Sequence, residues 1–332
     1  MSSFSVELSD LRGWGEQVGR AGHSLEAIRK YAVIYITDAD FGRILEQITY
    51  EYGKLVPVFH EVLSTDSTRM LETRQALLYC ADEYQRTDHN FASAIAKLDS
   101  QPVRSYDDGV ADGFIDVFDY AAFLANPVDE SRELPLVDFT RMQNKVCDLI
   151  AAMGPDPREY LTKWIAGDIG TAAEHGAAWR SSASSVEAIR DNLRSGQSSI
   201  SRTWTGEASG AEARYFTSWD ICYSNQATAM RRMGDHVIDA IDEAVKMAQV
   251  IVDVVKTVIS LIGVASISAA VPVVGQVRLA RSIWDGITML NNARKVMTLF
   301  FDFLRTIKDF ILYSGAVFSR DSLPASPTAA SS

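Results

Sequence analysis

Three cysteines in 332 residues are too few for a disulfide-stapled fold, and Cys80, Cys147 and Cys222 are scattered without Cys-x-x-Cys spacing. Each reads as a small buried hydrophobe, not a zinc ligand. Proline is sparse too, at nine residues, which excludes a collagen-like or disordered chain and leaves room for long helices. No Gly-x-x-x-x-Gly-Lys-Ser/Thr, Gly-x-Gly-x-x-Gly, His-Glu-x-x-His or Gly-x-Ser-x-Gly string occurs, and the pattern offers no strand-to-helix phosphate loop. The five histidines, His23, His60, His89, His175 and His236, are dispersed, and no carboxylate pair stands in an apolar context suited to acid–base work. The chain therefore reads as non-enzymatic, with no cofactor and no metal. Positive charge is lacking in one stretch, since no Lys or Arg lies between Arg104 and Arg132. Residues 1–150 hold 14 basic and 25 acidic side chains, which accounts for the whole formal charge of -11. An acidic half repels phosphates and no basic stripe occurs, so nucleic acid is not expected as a partner. The first ten residues carry no basic region followed by an apolar core, so export through an ordinary Sec signal peptide is not expected either.

What the chain does have is helical periodicity. Leu11, Trp14, Val18, Ala21, Leu25, Ile28, Ala32 and Tyr35 step by three and four, the spacing of one helix face. Thr37-Asp38-Ala39-Asp40-Phe41-Gly42 then breaks the pattern with turn and capping residues. Leu45, Ile48, Tyr52, Leu55, Phe59 and Val62 resume it, and Met70, Thr73, Leu77, Cys80 and Tyr84 carry it on. Pro57 lacks a backbone donor, which predicts a kink there or a break near Thr65-Asp66-Ser67-Thr68. A second pair of seams runs from His175 through Trp179, Ser182, Val186, Ile189, Leu193, Gly196 and Ile200, and from Met230 through Met233, Val237, Ala240, Ala244, Met247, Ile251 and Val254. Gly196 is the weak member, since a mid-helix glycine costs about 1 kcal/mol against alanine. Between these seams stands Trp204-Thr205-Gly206, where the indole can cap a hairpin core and glycine tolerates angles that other residues resist. Each pair of seams predicts an antiparallel hairpin. Trp284-Asp285-Gly286 repeats the string outside such a context and reads as an accident.

Trp204-x-Gly206 between two seams resembles the WXG (ESAT-like) family of helical-hairpin proteins exported by type VII (ESX) secretion systems. The first hairpin, with Phe41-Gly42 in its turn in place of Trp-x-Gly, looks like the EspC-type proteins exported by mycobacterial ESX systems. Tyr84 and Asp88, four apart at the end of its second helix, match the Tyr-x-x-x-Asp/Glu export signal of such substrates, and Tyr79 with Glu83 is a second match. Tyrosine and carboxylate at that spacing share a helix face. The alternative is a seam aromatic beside a solvated helix-end charge. The prelude Tyr160 to Asp168 also resembles actinobacterial members of the Trp-x-Gly group. The resemblance covers roughly residues 5–96 and 158–250. It implies a protein secreted or at the cell surface, whose signal is read by the secretion ATPase or a chaperone, and whose seams pair within the chain, with a small helical partner or in a homo-oligomer.

The rest carries no family signal. Residues 98–157 read as an acidic linker with a short helix. Asp107, Asp108, Asp112, Asp116 and Asp119 lack the spacing of an EF-hand loop, and Phe114, Phe118, Tyr120 and Phe123 suggest that part of the linker docks back onto a helix. Residues 257–277 contain no charged side chain over 21 positions. That length permits a membrane span, while Gly263, Pro272 and Gly275 permit instead two short buried helices turning near Val271–Gly275. A greasy helix follows, from Leu279 through Leu304 to Phe310, which needs a cover: the 257–277 segment, a partner helix or a bilayer. Membrane contact would run through 257–311. The expected organisation is all-α: an EspC-like hairpin over 1–97, the linker, a WXG-like hairpin over 158–250, hydrophobic helices over 251–318 and a disordered tail over 319–332, with the two antiparallel hairpins packed like a four-helix bundle. The leading function is that of an exported helical recognition protein. The alternatives are a membrane-active effector inserting its 250–318 helices and an intracellular helical chaperone or adaptor.

Overall fold

A computed structural model describes residues 5–38, 41–99, 111, 113–127, 134–135, 139–152, 156–162, 169–268 and 274–327. The fold is all-α. Its helices are α1 (Leu8–Tyr35), α2 (Glu46–Asp99), α3 (Arg141–Ala151), α4 (Pro157–Thr162), α5 (Ile169–Ile200), α6 (Glu207–Ser268) and α7 (Val274–Val317). Among the described residues there is no strand, only one antiparallel bridge pair, Ser5 with Thr205.

The seams close as their periodicity requires. Leu11, Trp14, Val18, Leu25 and Ile28 on α1 are fully buried, as are Ile48, Tyr52, Phe59 and Val62 on α2. Gly15 of α1 lies against Leu78 of α2 and Gly22 against Leu71, so the two helices are antiparallel. On the second hairpin Arg180 pairs with Asp235 and Gln197 reaches the Ala213 carbonyl, again antiparallel. The hairpins then pack on each other through α1 and α5. Gly196 sits where the Trp14 ring and the Gln17 side chain cross, so close that a Cβ would overlap both. The glycine that looked like a defect in the seam is what lets the two hairpins approach. Across the bundle, Phe59 stacks on Trp179 at 4.2 Å and Phe318, from the end of α7, covers Phe59 at 5.1 Å. Burying each such side chain contributes roughly 1.5–3 kcal/mol, so this aromatic knot ties three helices with few residues.

Helix α2 runs unbroken from Glu46 to Asp99, and no break occurs at Thr65–Thr68. Thr65 and Thr68 hydroxyls bond back to the Glu61 and Ser64 carbonyls, while Ser67 donates across to the Gly22 carbonyl. These residues thus support the helix and its contact with α1. Pro57 is exposed, and the helix continues through it despite the missing backbone donor.

Residues 114–126 form a strap along the groove between α1 and α5. Asn192 of α5 accepts from the Val117 and Phe118 amides and donates to the Phe118 carbonyl. Gln17 donates to the Ile115 carbonyl and to Asp116, Ser185 to the Tyr120 carbonyl, and Tyr31 to the Ala125 carbonyl. Phe114 is buried beside Trp14, whereas Phe118 and Phe123 are exposed. This part of the linker is therefore docked across both hairpins. Asp107, Asp108 and Asp112 lie outside the described residues; Asp116 pairs with Arg20, and Asp119 caps a short 3-10 turn through the Ala121 amide.

Helix α6 passes residue 250 without interruption and continues beyond the start of α5 with α7 as its antiparallel partner, Gly286 lying against Val258 and Ile262. Among the described residues α6 is the one helix long and apolar enough to cross a membrane. The uncharged run is shared between α6 and α7, which lie antiparallel; residues 269–273, where the turn near Val271–Gly275 was expected to begin, lie outside the described residues. Val255, Val258 and Ile262 are buried against α7, whose Arg278, Arg281 and Asp285 flank the uncharged arm. Trp284-Asp285-Gly286 lies inside α7, far from any hairpin turn. Much of the greasy face of α7 is covered by α6 and, toward its end, by α2: Leu304, Ile307 and Ile311 are buried, and Lys308 reaches Glu51, while Leu299 stays exposed. The segment after α7, expected to be disordered, follows α2 as far as residue 327. Leu323 is buried, Arg320 pairs with Glu61 and Arg69 donates to the Pro324 carbonyl, anchors that composition alone does not reveal. Residues 328–332 lie outside the described ones.

Candidate functional site at one end of the bundle

The α5–α6 turn is built by a chain reversal that glycine makes possible. Trp204 and Thr203 amides both reach the Ile200 carbonyl, closing α5, and Gly206 takes φ 117°, a left-handed region that resists side chains. Ser209 then donates to the Trp204 carbonyl and α6 begins at Glu207, whose charge suits a helix N-terminus. Trp204 is only 3% exposed. The N-terminal segment adds one extended layer: the Thr205 amide donates to the Ser5 carbonyl at 2.8 Å and the Glu7 amide to the Thr203 carbonyl at 3.2 Å.

Helix α2 delivers Tyr84 to the same place. Its ring stands edge-on to Trp204, with centroids 6.5 Å apart and planes at 76°. Tyr84 is half-buried, and burial pushes its phenol up, with the Cys80 thiol adding to the effect and the Trp204 N–H opposing it. Asp88, one turn further along α2, is exposed. Arg12 from α1 braces this part of α2 by donating to Asp82 at 3.3 Å and to Gln85. Tyr79 is 54% exposed, while Glu83 pairs with Arg86, so this second tyrosine–carboxylate pair lies on the open flank of α2.

Behind Trp204 the end is closed by Trp14, which packs on Phe216 at 4.7 Å and donates its indole N–H to Glu212 at 2.8 Å. Burial pushes the Glu212 carboxyl up to about 7, and the Trp14 N–H works against that rise. Glu212 was not singled out by sequence, since only the meeting of α1 with α6 makes it a half-buried acid.

The other turn lies at the opposite end and is structural. Phe41 is fully buried and Gly42 takes φ 78°. Phe41 meets His175 edge-on at 5.2 Å and Tyr52 at 5.1 Å. Trp179 donates to the Tyr52 hydroxyl at 2.8 Å, which leaves Tyr52 to donate to His175 Nδ1 at 2.9 Å, and Nε2 faces the Thr37 hydroxyl at 3.3 Å. Burial holds the His175 imidazole down to about 4, so it is neutral at physiological pH. Of the residues expected to matter, Tyr84, Asp88, Trp204 and Gly206 therefore share one end, and Phe41 and Gly42 occupy the other. The cysteines behave as small hydrophobes, with Cys147 and Cys222 buried and Cys80 half-buried. Among the described residues no group of three His, Cys, Asp or Glu side chains is placed to hold a metal ion.

No protein-family model, curated protein or solved structure matches this chain. Its reading rests on the residues and their geometry.

Proposed function

We propose that the chain is a non-enzymatic protein exported by an actinobacterial type VII (ESX) secretion system, acting by helix–helix recognition and making or breaking no bond. The observation that carries this reading is the 6.5 Å approach of Tyr84 to Trp204. The tyrosine of a Tyr-x-x-x-Asp pair and the tryptophan of a Trp-x-Gly turn come from different hairpins, 120 residues apart in sequence, yet they meet at one bundle end beside the exposed Asp88. A secretion ATPase or chaperone would there meet a ring, a carboxylate and a rigid turn together. The half-burial of Tyr84 is part of the argument, because a ring fixed against Trp204 gives a receptor a fixed distance to Asp88.

The test is the culture-filtrate to cell ratio of the tagged chain in an actinobacterial host with an intact type VII system, for wild type, Tyr84→Ala, Asp88→Ala and Asp88→Asn. Loss of export in the Asp88 variants supports the reading provided that thermal melts are unchanged, which separates a lost signal from a weakened bundle; Asp88 is exposed. Wild-type protein retained in the cytoplasm sinks it and favours an intracellular adaptor. A second reading, association with a membrane surface through the α6–α7 arm, is favoured by the exposure of Val264 and Val277, 68% and 66%, and of Trp284 at 71%. Arg278, Arg281 and Asp285 would keep such contact shallow. Vesicle flotation of wild type against Val264→Asp tests it.

A further inference from the structure

Away from the bundle end, α6 and α7 leave a long groove on their outer side. One lip is a stripe of α6, Asp239, Asp242, Glu243 and Lys246, above Met247 and Val250; the other is Val296, Leu299, Phe300 and Phe303 of α7. The groove has a volume of about 660 Å³. Its floor is apolar and closed, with Met247 and Phe300 buried, while Leu299 is 69% and Val250 42% exposed. Asp239 to Val250 covers three helical turns, roughly 16 Å of axis at 1.5 Å per residue. Two antiparallel helices with an apolar valley between them accept the ridge of a third.

Charge decides which third helix. The acidic lip carries three carboxylates to one ammonium, Lys246, which pairs with Glu243 at 2.7 Å, so carboxylates outnumber cations along it. The same Glu243, together with Asp242 and Asp239, holds Lys246 above the usual ammonium range. A second copy docking through this groove with two-fold symmetry would lay its acidic lip either against the facing acidic lip or over the apolar one, repelled in the first case and desolvated against Leu299 in the second. An anionic membrane surface meets the same repulsion. A helix with Lys or Arg beside its apolar stripe meets neither.

We propose that the α6–α7 groove is a docking site for a basic amphipathic helix of a second protein, which lays apolar side chains at i, i+3/i+4 and i+7 over Leu299, Phe300 and Val250 and sets its cations along the acidic α6 lip around Asp239. This goes beyond export and does not depend on it, because the groove lies on a different part of the molecule from Tyr84 and Trp204.

The experiment is selection of an mRNA-display library of 20-residue peptides on immobilised full-length protein, with counter-selection on the Val250→Asp/Leu299→Asp double variant. Both positions are exposed, and circular-dichroism melts check that the variant keeps its fold. The expected result is enrichment of sequences with apolar residues at helical spacing flanked by Lys or Arg. A representative synthetic peptide should bind at least tenfold more weakly to Asp239→Lys/Glu243→Lys, and more weakly in high salt. Enriched peptides without a basic excess, or peptides that bind the charge-reversed variant equally well, overturn the proposal. So does failure to enrich anything groove-dependent, as does self-association or binding to anionic vesicles that the Val250→Asp/Leu299→Asp variant abolishes.

Discussion

Replacing Asp66 by asparagine should stabilise this protein, and by an amount that depends steeply on pH. Asp66 lies on the face of α2 turned toward α6 and is 0% exposed. Neither carboxylate oxygen has a well-formed hydrogen bond, and the facing Gln226 amide is likewise unmatched. Burial pushes the Asp66 carboxyl from 3.8 up to about 7, while Gln226 from α6 and Arg69 from its own helix offset only part of the cost. Cys222 and Tyr223 of α6 are the other titratable neighbours; burial pushes both upward, and the charge on Asp66 adds to it. The folded state thus keeps a proton that the unfolded chain gives up between about pH 4 and 7. Stability is fully present below the unfolded value and is lost as pH rises through the folded one. A difference of some three pH units at about 1.4 kcal/mol each gives roughly 4 kcal/mol lost by pH 8. Asp66→Asn keeps the shape and cannot ionise. Urea unfolding at pH 4, 6 and 8 should therefore show wild type and variant coinciding at pH 4 and the variant's midpoint well above wild type at pH 8, with equal slopes. A variant destabilised at pH 8, or a difference independent of pH, would refute the account of this seam.

Two further outcomes follow from the packing between the hairpins. Gly196→Ala should gain about 1 kcal/mol of helix propensity and lose about 1–3 kcal/mol to overpacking against Trp14 and Gln17; a net loss in thermal melts is expected, and a net gain would show that α1 and α5 are not in such close contact. Asn192→Ala removes three hydrogen bonds to the strap, so amide exchange at Val117 and Phe118 should accelerate while amides in the α5–α6 hairpin keep their protection; unchanged exchange at those two positions would mean that Asn192 does not hold the strap.

The helices were legible because each buries a stripe along its own length. Leu11 to Tyr35 and His175 to Ile200 announce α1 and α5 through spacing alone, and Gly206 announces its turn through the backbone it permits. Contacts made between distant segments were not legible. Gly196 reads as a weakness until Trp14 is seen to need the space, and Asn192 and Gln17 read as ordinary polar residues until the strap arrives to use them. Composition misjudged the start of the tail for the same reason, since the burial of Leu323 depends on what α2 offers. At the candidate site, Tyr84 and Trp204 were each picked out, but their meeting depends on how two hairpins pack, which no local pattern encodes. Glu212 escaped altogether, because its partial burial depends on α1, whose Trp14 it accepts from.

Pairing the two hairpins within one chain changes what a partner can do. Separate helical hairpins that bury seams against each other can exchange partners, and their association depends on concentration. Here the facing hairpin is tethered, and a tether of this kind keeps its effective concentration on the order of millimolar or more. The strap adds to that advantage, since Gln17, Tyr31, Ser185 and Asn192 grip it from both hairpins at once. A free helical protein competing for the α1–α5 seam must displace the tethered hairpin and release the strap as well. A partner of ordinary affinity therefore has to bind an outer face. Two such faces carry recognisable chemistry: the bundle end, where Tyr84 meets Trp204, and the acid-lipped groove of α6 and α7. They lie on different segments, so the two proposed docking sites do not exclude each other.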